Sequence, residues 1–143
     1  EGTAVAWVNM STLKDYNTIF DKSVSNDDWE CWVYATGQAA FRSTASNAEF
    51  RVTGDGLLAN TWYQVAVTWS PSAANMYING KLQTTATANT TARATPGTLN
   101  IGGGNAGNTK FAGRIPSFQV YNRALSATEI KQNFNAMRGR FGI

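Results

Sequence analysis

Histidine is absent from the 143 residues, and cysteine occurs once, at Cys31. The first absence removes every His-based catalytic triad and every His-liganded metal centre. The second removes any disulfide within the chain, and a lone thiol without a basic partner is a poor nucleophile. Flanked as Trp29-Glu30-Cys31-Trp32-Val33, that thiol reads as an inert, buried strand position. No apolar run approaches the roughly 18 residues of a membrane-crossing helix, so no membrane insertion is expected. The first residues carry neither a secretory signal nor an initiator Met, and Glu1-Gly2 leads straight into a strand pattern. A processed chain or a piece of a longer protein is the expectation. Charge is scarce as well, at 15% of residues, and the basic groups are scattered rather than gathered on a known motif, which excludes a nucleic-acid reader.

What is present is apolar and aromatic: 43% hydrophobic residues with 17 aromatics, enough for one packed domain over 1–143. Period-two alternation marks Thr3–Val8, Trp29–Tyr34, Glu49–Val52, Trp62–Trp69, Met76–Ile78, Thr98–Ile101 and Arg114–Tyr121 as strands. Turn signals separate them, among them "SNDD", "TGDG", "SPSAAN" and "TPG". Ile78-Asn79-Gly80-Lys81 is the strongest, because Asn-Gly accepts φ > 0 at both central positions of a tight hairpin. The polar, β-branched stretch 83–98 reads as an edge strand followed by a loop. Regular short strands of this kind point to an all-β sandwich or jelly roll.

One short C-terminal helix completes the pattern. Ser126 with Glu129 three residues on forms a capping box, and Ile130, Phe134 and Met137 make one apolar stripe at i, i+4 and i+7. Gly139 is the expected stop. Residues 110–143 hold six basic groups against Glu129 alone, a net +5, while residues 1–109 sum to −2. Arg123, Lys131, Arg138 and Arg140 are therefore candidates for docking on an acidic partner, against the alternative of a solvated face.

Four segments, in order, resemble a laminin G-like domain of the concanavalin A-like lectin/glucanase superfamily: "TAVAWV" (3–8), "TIFDK" (18–22), "NTWYQVAVTWSPSAANMYINGKLQ" (60–83) and "FAGRIPSFQVYNRALSATEI" (111–130). The resemblance implies an all-β, jelly-roll sandwich of two antiparallel sheets, with the terminal helix covering part of it. It also implies a further strand ahead of the first segment, supplied from upstream or by a neighbouring subunit. The chain departs from the family's pattern where Val5 replaces a Glu and where Pro116 and Ser117 stand in place of acidic residues. Such modules occur in extracellular bacterial proteins and in tailed-phage virions, and the closing "IKQNFNAMRGRFGI" is most similar to the virion type. The resemblance thus implies a virion-surface location, with other virion proteins, self-association or surface glycans as partners, or else an extracellular carbohydrate-binding module.

The superfamily's glucanases present two carboxylates as Glu-x-Asp-x-x-Glu on one strand, and no such run exists here. Asp27-Asp28-Trp29-Glu30 is the nearest cluster, and its adjacent strand positions point to opposite faces. A non-catalytic protein is expected. "GGGNAG" (102–107) matches Gly-x-Gly-x-x-Gly formally, but no helix follows to hold a pyrophosphate, so it reads as a glycine loop. No cofactor is required. Asp21, Asp27, Asp28 and Asp55 are hard oxygen donors in loops that could serve Ca²⁺, or simply turn formers. Trp32 and Tyr34 alternate against Cys31 and Val33, and Trp7 against Ala6 and Val8. These three rings are the candidate sugar platform, the alternative being a second core layer or a subunit contact.

Overall fold

The computed structural model describes residues 1–22, 29–43, 48–51, 56–86, 97–104 and 109–143. These form two antiparallel sheets. The first holds β1 (Gly2–Met10), β6 (Trp62–Trp69), β7 (Ala74–Ile78), β8 (Lys81–Ala86) and β10 (Gly113–Tyr121), in the order β10-β1-β6-β7-β8. The second holds β2 (Asn17–Lys22), β3 (Trp29–Val33), β4 (Ala39–Ser43), β5 (Ala48–Arg51) and β9 (Asn100–Ile101), in the order β5-β4-β3-β2-β9. The chain passes from one sheet to the other four times, and this interleaving gives the jelly-roll sandwich.

Alternation decides which side chains meet between the sheets. Ala4, Ala6, Val8 and Met10 of β1, with Val65, Val67, Trp69 and Met76 beside them, face Phe20, Cys31, Val33 and Phe41 across the gap, all essentially excluded from water. Burial pushes the Cys31 thiol far up, so it stays protonated and unreactive. Phe41 lies 6.3 Å from Phe20 and 5.8 Å from Trp69, which locks the two sheets through ring contacts.

The outer face of the first sheet is also covered. Val5, Ala66 and Tyr77 lie in register across β1, β6 and β7, and α1 (Ala127–Met137) places Ile130 on them together with Leu125. The capping box is formed as the sequence requires: Glu129 N–H donates to Ser126 Oγ, and Ser126 N–H donates to Glu129 Oε2. Thr3 Oγ1 donates to the Arg123 carbonyl at 2.8 Å and accepts from Leu125 N–H at 2.9 Å, clipping the entry of α1 to the first strand. The Asn79-Gly80 hairpin has φ of 52° and 73°, and a Cβ on Gly80 would stand 3.0 Å from Phe134 Cβ, so this turn both reverses the chain and seats the helix.

Several expectations are corrected. The α-helix ends at Met137 with its cap at Arg138, immediately before Gly139, but the chain does not leave it there: it tightens into a 3₁₀ turn over Arg138–Phe141 and stops at Gly142, φ 71°. The tighter turn carries Phe141 onto Trp7 at 4.2 Å and Trp62 at 4.8 Å. Two strands, β2 and β4, lie where no alternation was visible. Ala39, Ala40 and Phe41 are all buried, so β4 shows no alternation before Arg42, and a bulge between Thr18 and Phe20 breaks the period of β2. The strand expected over Thr98–Ile101 is confined to Asn100–Ile101. Of the polar stretch 83–98, Gln83–Ala86 belongs to β8 at the sheet edge, while 87–96 lies outside the described residues.

Candidate functional site

Among the described residues, the outer face of the second sheet carries an aromatic cluster that the C-terminal helix does not cover. β3 sends Cys31 and Val33 inward, so Glu30 and Trp32 project outward. The next outward ring along the chain is Tyr34, half-buried at the start of a turn closed by Gly37 N–H donating to the Tyr34 carbonyl. Tyr16 comes from the loop between β1 and β2. Its φ is 58°, a left-handed conformation that side chains with a Cβ rarely adopt.

Two polar anchors hold that loop. Asn17, fully buried, donates to the carbonyls of Thr12 and Lys14 and accepts from Ala112 N–H at 3.0 Å. Asp15 Oδ1 accepts from Ala35 N–H at 3.2 Å, joining the Tyr16 loop to the turn that follows Tyr34. The result is a three-ring cluster: Tyr16 to Trp32 6.0 Å, Tyr16 to Tyr34 5.7 Å and Trp32 to Tyr34 5.8 Å between centroids. Trp32 is 2% exposed and Tyr16 49%. The ring that meets solvent is thus Tyr16, with Trp32 as its support.

A polar strip borders the rings. Arg42 on β4 lies with its guanidinium carbon 5.6 Å from the Trp32 ring centre and pairs with Glu30 at 2.7 Å. Glu30 stands opposite Asp21 on β2. Asp21 is 3% exposed, and a Cβ on Gly104 would fall 2.9 Å from its Oδ2, so the glycine loop packs directly on this carboxylate. Gly104 thus serves close approach of the loop to β2, whereas Gly103 has open space around it, and residues 105–108 of that loop lie outside the described residues.

Of the four Asp residues considered for Ca²⁺, Asp27, Asp28 and Asp55 lie outside the described residues. Among the described residues no three acidic or thiol side chains converge, and Glu30 is already engaged by Arg42. Asp21 and Glu30 alone fall well short of the roughly six to eight oxygens that the ion takes.

Trp7, expected on a sugar platform, is 1% exposed beneath Phe134 and Phe141 and presents no face to a ligand. It alternates as the sequence indicates, but the C-terminal segment covers the side it alternates to. Arg123 grips both oxygens of Glu129, at 3.0 and 2.6 Å, and so is tied into the helix cap. That bond, with those from Ser126 N–H and Oγ, pulls the Glu129 carboxyl down to about 2. Lys131, Arg138 and Arg140 are exposed and make no ion pair with the described residues. Tyr16 and Arg42 are the site residues that alternation alone did not single out, since Tyr16 is a loop residue and β4 carries no visible period.

No curated protein sequence matches the chain. Solved structures do. One is a Bacteroides ovatus protein assigned to carbohydrate binding, 23% identical, TM-score 0.71, covering 92% of this chain and 40% of its own. Another is the binding domain of botulinum neurotoxin DC in complex with SialylT, at 19% identity and TM-score 0.69, covering 95% of this chain and 35% of that one. The botulinum neurotoxin type G receptor-binding domain follows at 18% and 0.67, covering 95% and 38%. At these identities the likeness shows the fold, and the chain spans only about two-fifths or less of each of these structures. The sequence itself matches the concanavalin A-like lectin/glucanases superfamily, laminin G-like, over residues 1–131, and with the two-sheet fold in hand the chain belongs to that family.

Proposed function

We propose that this domain is a non-catalytic carbohydrate-binding module, and that saccharide stacks on the outer face of the second sheet at Tyr16, backed by Trp32 and Tyr34. The observation that carries this reading is the ring cluster itself, with Tyr16 half-exposed at its summit and Arg42 and Glu30 alongside to take sugar hydroxyls. Aromatic faces supply stacking area at little entropic cost, and flanking polar groups orient the ligand. The likeness to a protein assigned to carbohydrate binding and to a toxin's receptor-binding domain supports it. For hydrolysis, two carboxyl groups would have to flank a glycosidic bond with one free to act as an acid. Glu30 is committed to Arg42 and Asp21 is packed under Gly104, which favours binding without chemistry.

A surface module assembled on a tailed-phage virion is the setting we favour, on the likeness of the closing segment and on the exposure of the basic residues Lys131, Arg138 and Arg140. An extracellular bacterial module is the alternative. Limited proteolysis separates them: on an assembled particle, cleavage after Arg138 and Arg140 is suppressed relative to the isolated domain, whereas equal cleavage contradicts docking through this end.

The test of binding is a broad glycan array, followed by titration of hits with the wild type and Tyr16→Ala, in calcium and in chelator. Binding lost in Tyr16→Ala without loss of folded protein supports the site. Binding that survives the substitution moves the platform elsewhere.

A further inference from the structure

A second polar site lies at the opposite sheet, where the end of β1, the turn before β6 and the start of β10 meet. Asn9, Ser11, Asn60, Gly113 and Arg114 line an open hollow of about 440 Å³, within the size range of small-ligand sites. Main-chain contacts build its walls. Ser11 N–H donates to the Ala112 carbonyl at 2.9 Å, and Asn60 N–H, at φ 58°, donates to the Met10 carbonyl at 2.6 Å. Register shifts between Trp7 and Asn9, bending the strand edge at this point. Gly113 approaches β1 so closely that a Cβ there would collide with the Asn9 carbonyl oxygen, so glycine is what lets β10 form this wall.

The side chains in the hollow are uncommitted. Neither carboxamide, nor the Ser11 hydroxyl, nor the Arg114 guanidinium makes a side-chain hydrogen bond or ion pair with the described residues. Asn9 lies in register with Arg114 on one side and Trp62 on the other, and Trp62, half-buried, is held at its far side by Phe141. Two amides and a hydroxyl suit a ring carrying several hydroxyl groups, each of which both donates and accepts. The guanidinium adds a planar fork matched to a carboxylate. No acidic residue is among the lining residues, in contrast to the Asp21–Glu30 strip on the other sheet, and the surrounding segment 110–143 carries net +5.

We infer that this hollow binds an acidic saccharide, with Arg114 taking the ring carboxylate and Asn9, Ser11 and Asn60 the hydroxyls. The ligand class rests on the carbohydrate reading above, but the site is independent of the Tyr16 face.

Calorimetric titration of the whole domain with digalacturonate and 3′-sialyllactose, each against its neutral counterpart (digalactose and lactose), tests it. The acidic sugars should bind about tenfold more tightly or better, as one charge-assisted contact supplies. The preference should disappear in Arg114→Gln, persist in Tyr16→Ala, and weaken as salt rises from about 50 mM to about 0.5 M. Arg114 is exposed, so Arg114→Gln leaves the fold intact, and amide and indole NMR shifts at Asn9, Asn60 and Trp62 report occupancy directly. No preference for acidic sugars, or a preference kept in Arg114→Gln, overturns this site. Neutral-glycan binding lost in Tyr16→Ala would still stand for the first one.

Discussion

Tyr16 shows how much one residue can depend on neighbours far along the chain. A tyrosine in a polar loop gives no periodic signal, and its outward position arises from a positive φ fixed by Asn17 and by the Asp15–Ala35 bond. Trp32 was legible as an outward ring because it alternates against buried Cys31 and Val33, but its burial was not, since that requires Tyr16, Tyr34 and Arg42 from other segments. The two rings should answer mutation differently. Tyr16→Ala, at a half-exposed position, should change stability by about 1 kcal/mol or less, whereas Trp32→Ala should cost about 3–5 kcal/mol in urea unfolding. A second residue-scale test concerns Glu129. Its folded carboxyl sits near 2, below its unfolded value, so its contribution is present above the ordinary carboxylate range and lost as pH falls through about 2. Carboxyl NMR titration should find that low midpoint, and Arg123→Ala should raise it only part of the way, because the Ser126 bonds remain. A wild-type midpoint in the ordinary range would contradict the geometry.

At the scale of elements, the C-terminal helix was the most readable part of the chain. Its cap needs two side chains three residues apart, and its stripe needs only the helical period. Ser126→Ala should therefore cost about 0.5–2 kcal/mol by thermal or chemical unfolding. The α-helix stops beside Gly139 as the sequence indicates, but the 3₁₀ turn beyond it was not legible, because it is set by Phe141 reaching Trp7 and Trp62. Phe141→Ala should cost roughly 1–3 kcal/mol and increase the exposure of Trp7, seen as a red shift and stronger quenching of its fluorescence. An unchanged spectrum would mean that the 3₁₀ turn does not cover the ring in solution. β2 and β4 were hidden for the converse reason: strands buried on both faces, or bulged, lose the alternation by which strands are recognised.

For the whole molecule, two sheets share one core, and one of them is covered again by the helix and the 3₁₀ turn. This asymmetry assigns the tryptophans. Trp7 belongs beneath the C-terminal cover, and Trp32 belongs to the outward face of the other sheet. Sequence alone showed that both alternate away from the core but not which face the helix would take, since that depends on the Gly80 hairpin giving Phe134 room and on Thr3 fixing the helix entry. On the function proposed above, the outward aromatic face at Tyr16 binds saccharide. Titration of a glycan-array hit into wild type and Tyr16→Ala, with both proteins shown to unfold at closely similar temperatures, tests it most directly. Saturable binding by the wild type and at least about tenfold weaker binding by the variant, the equivalent of one lost stacking contact, are expected. Equal binding by the two proteins, or none by a folded wild type across the array, would contradict it.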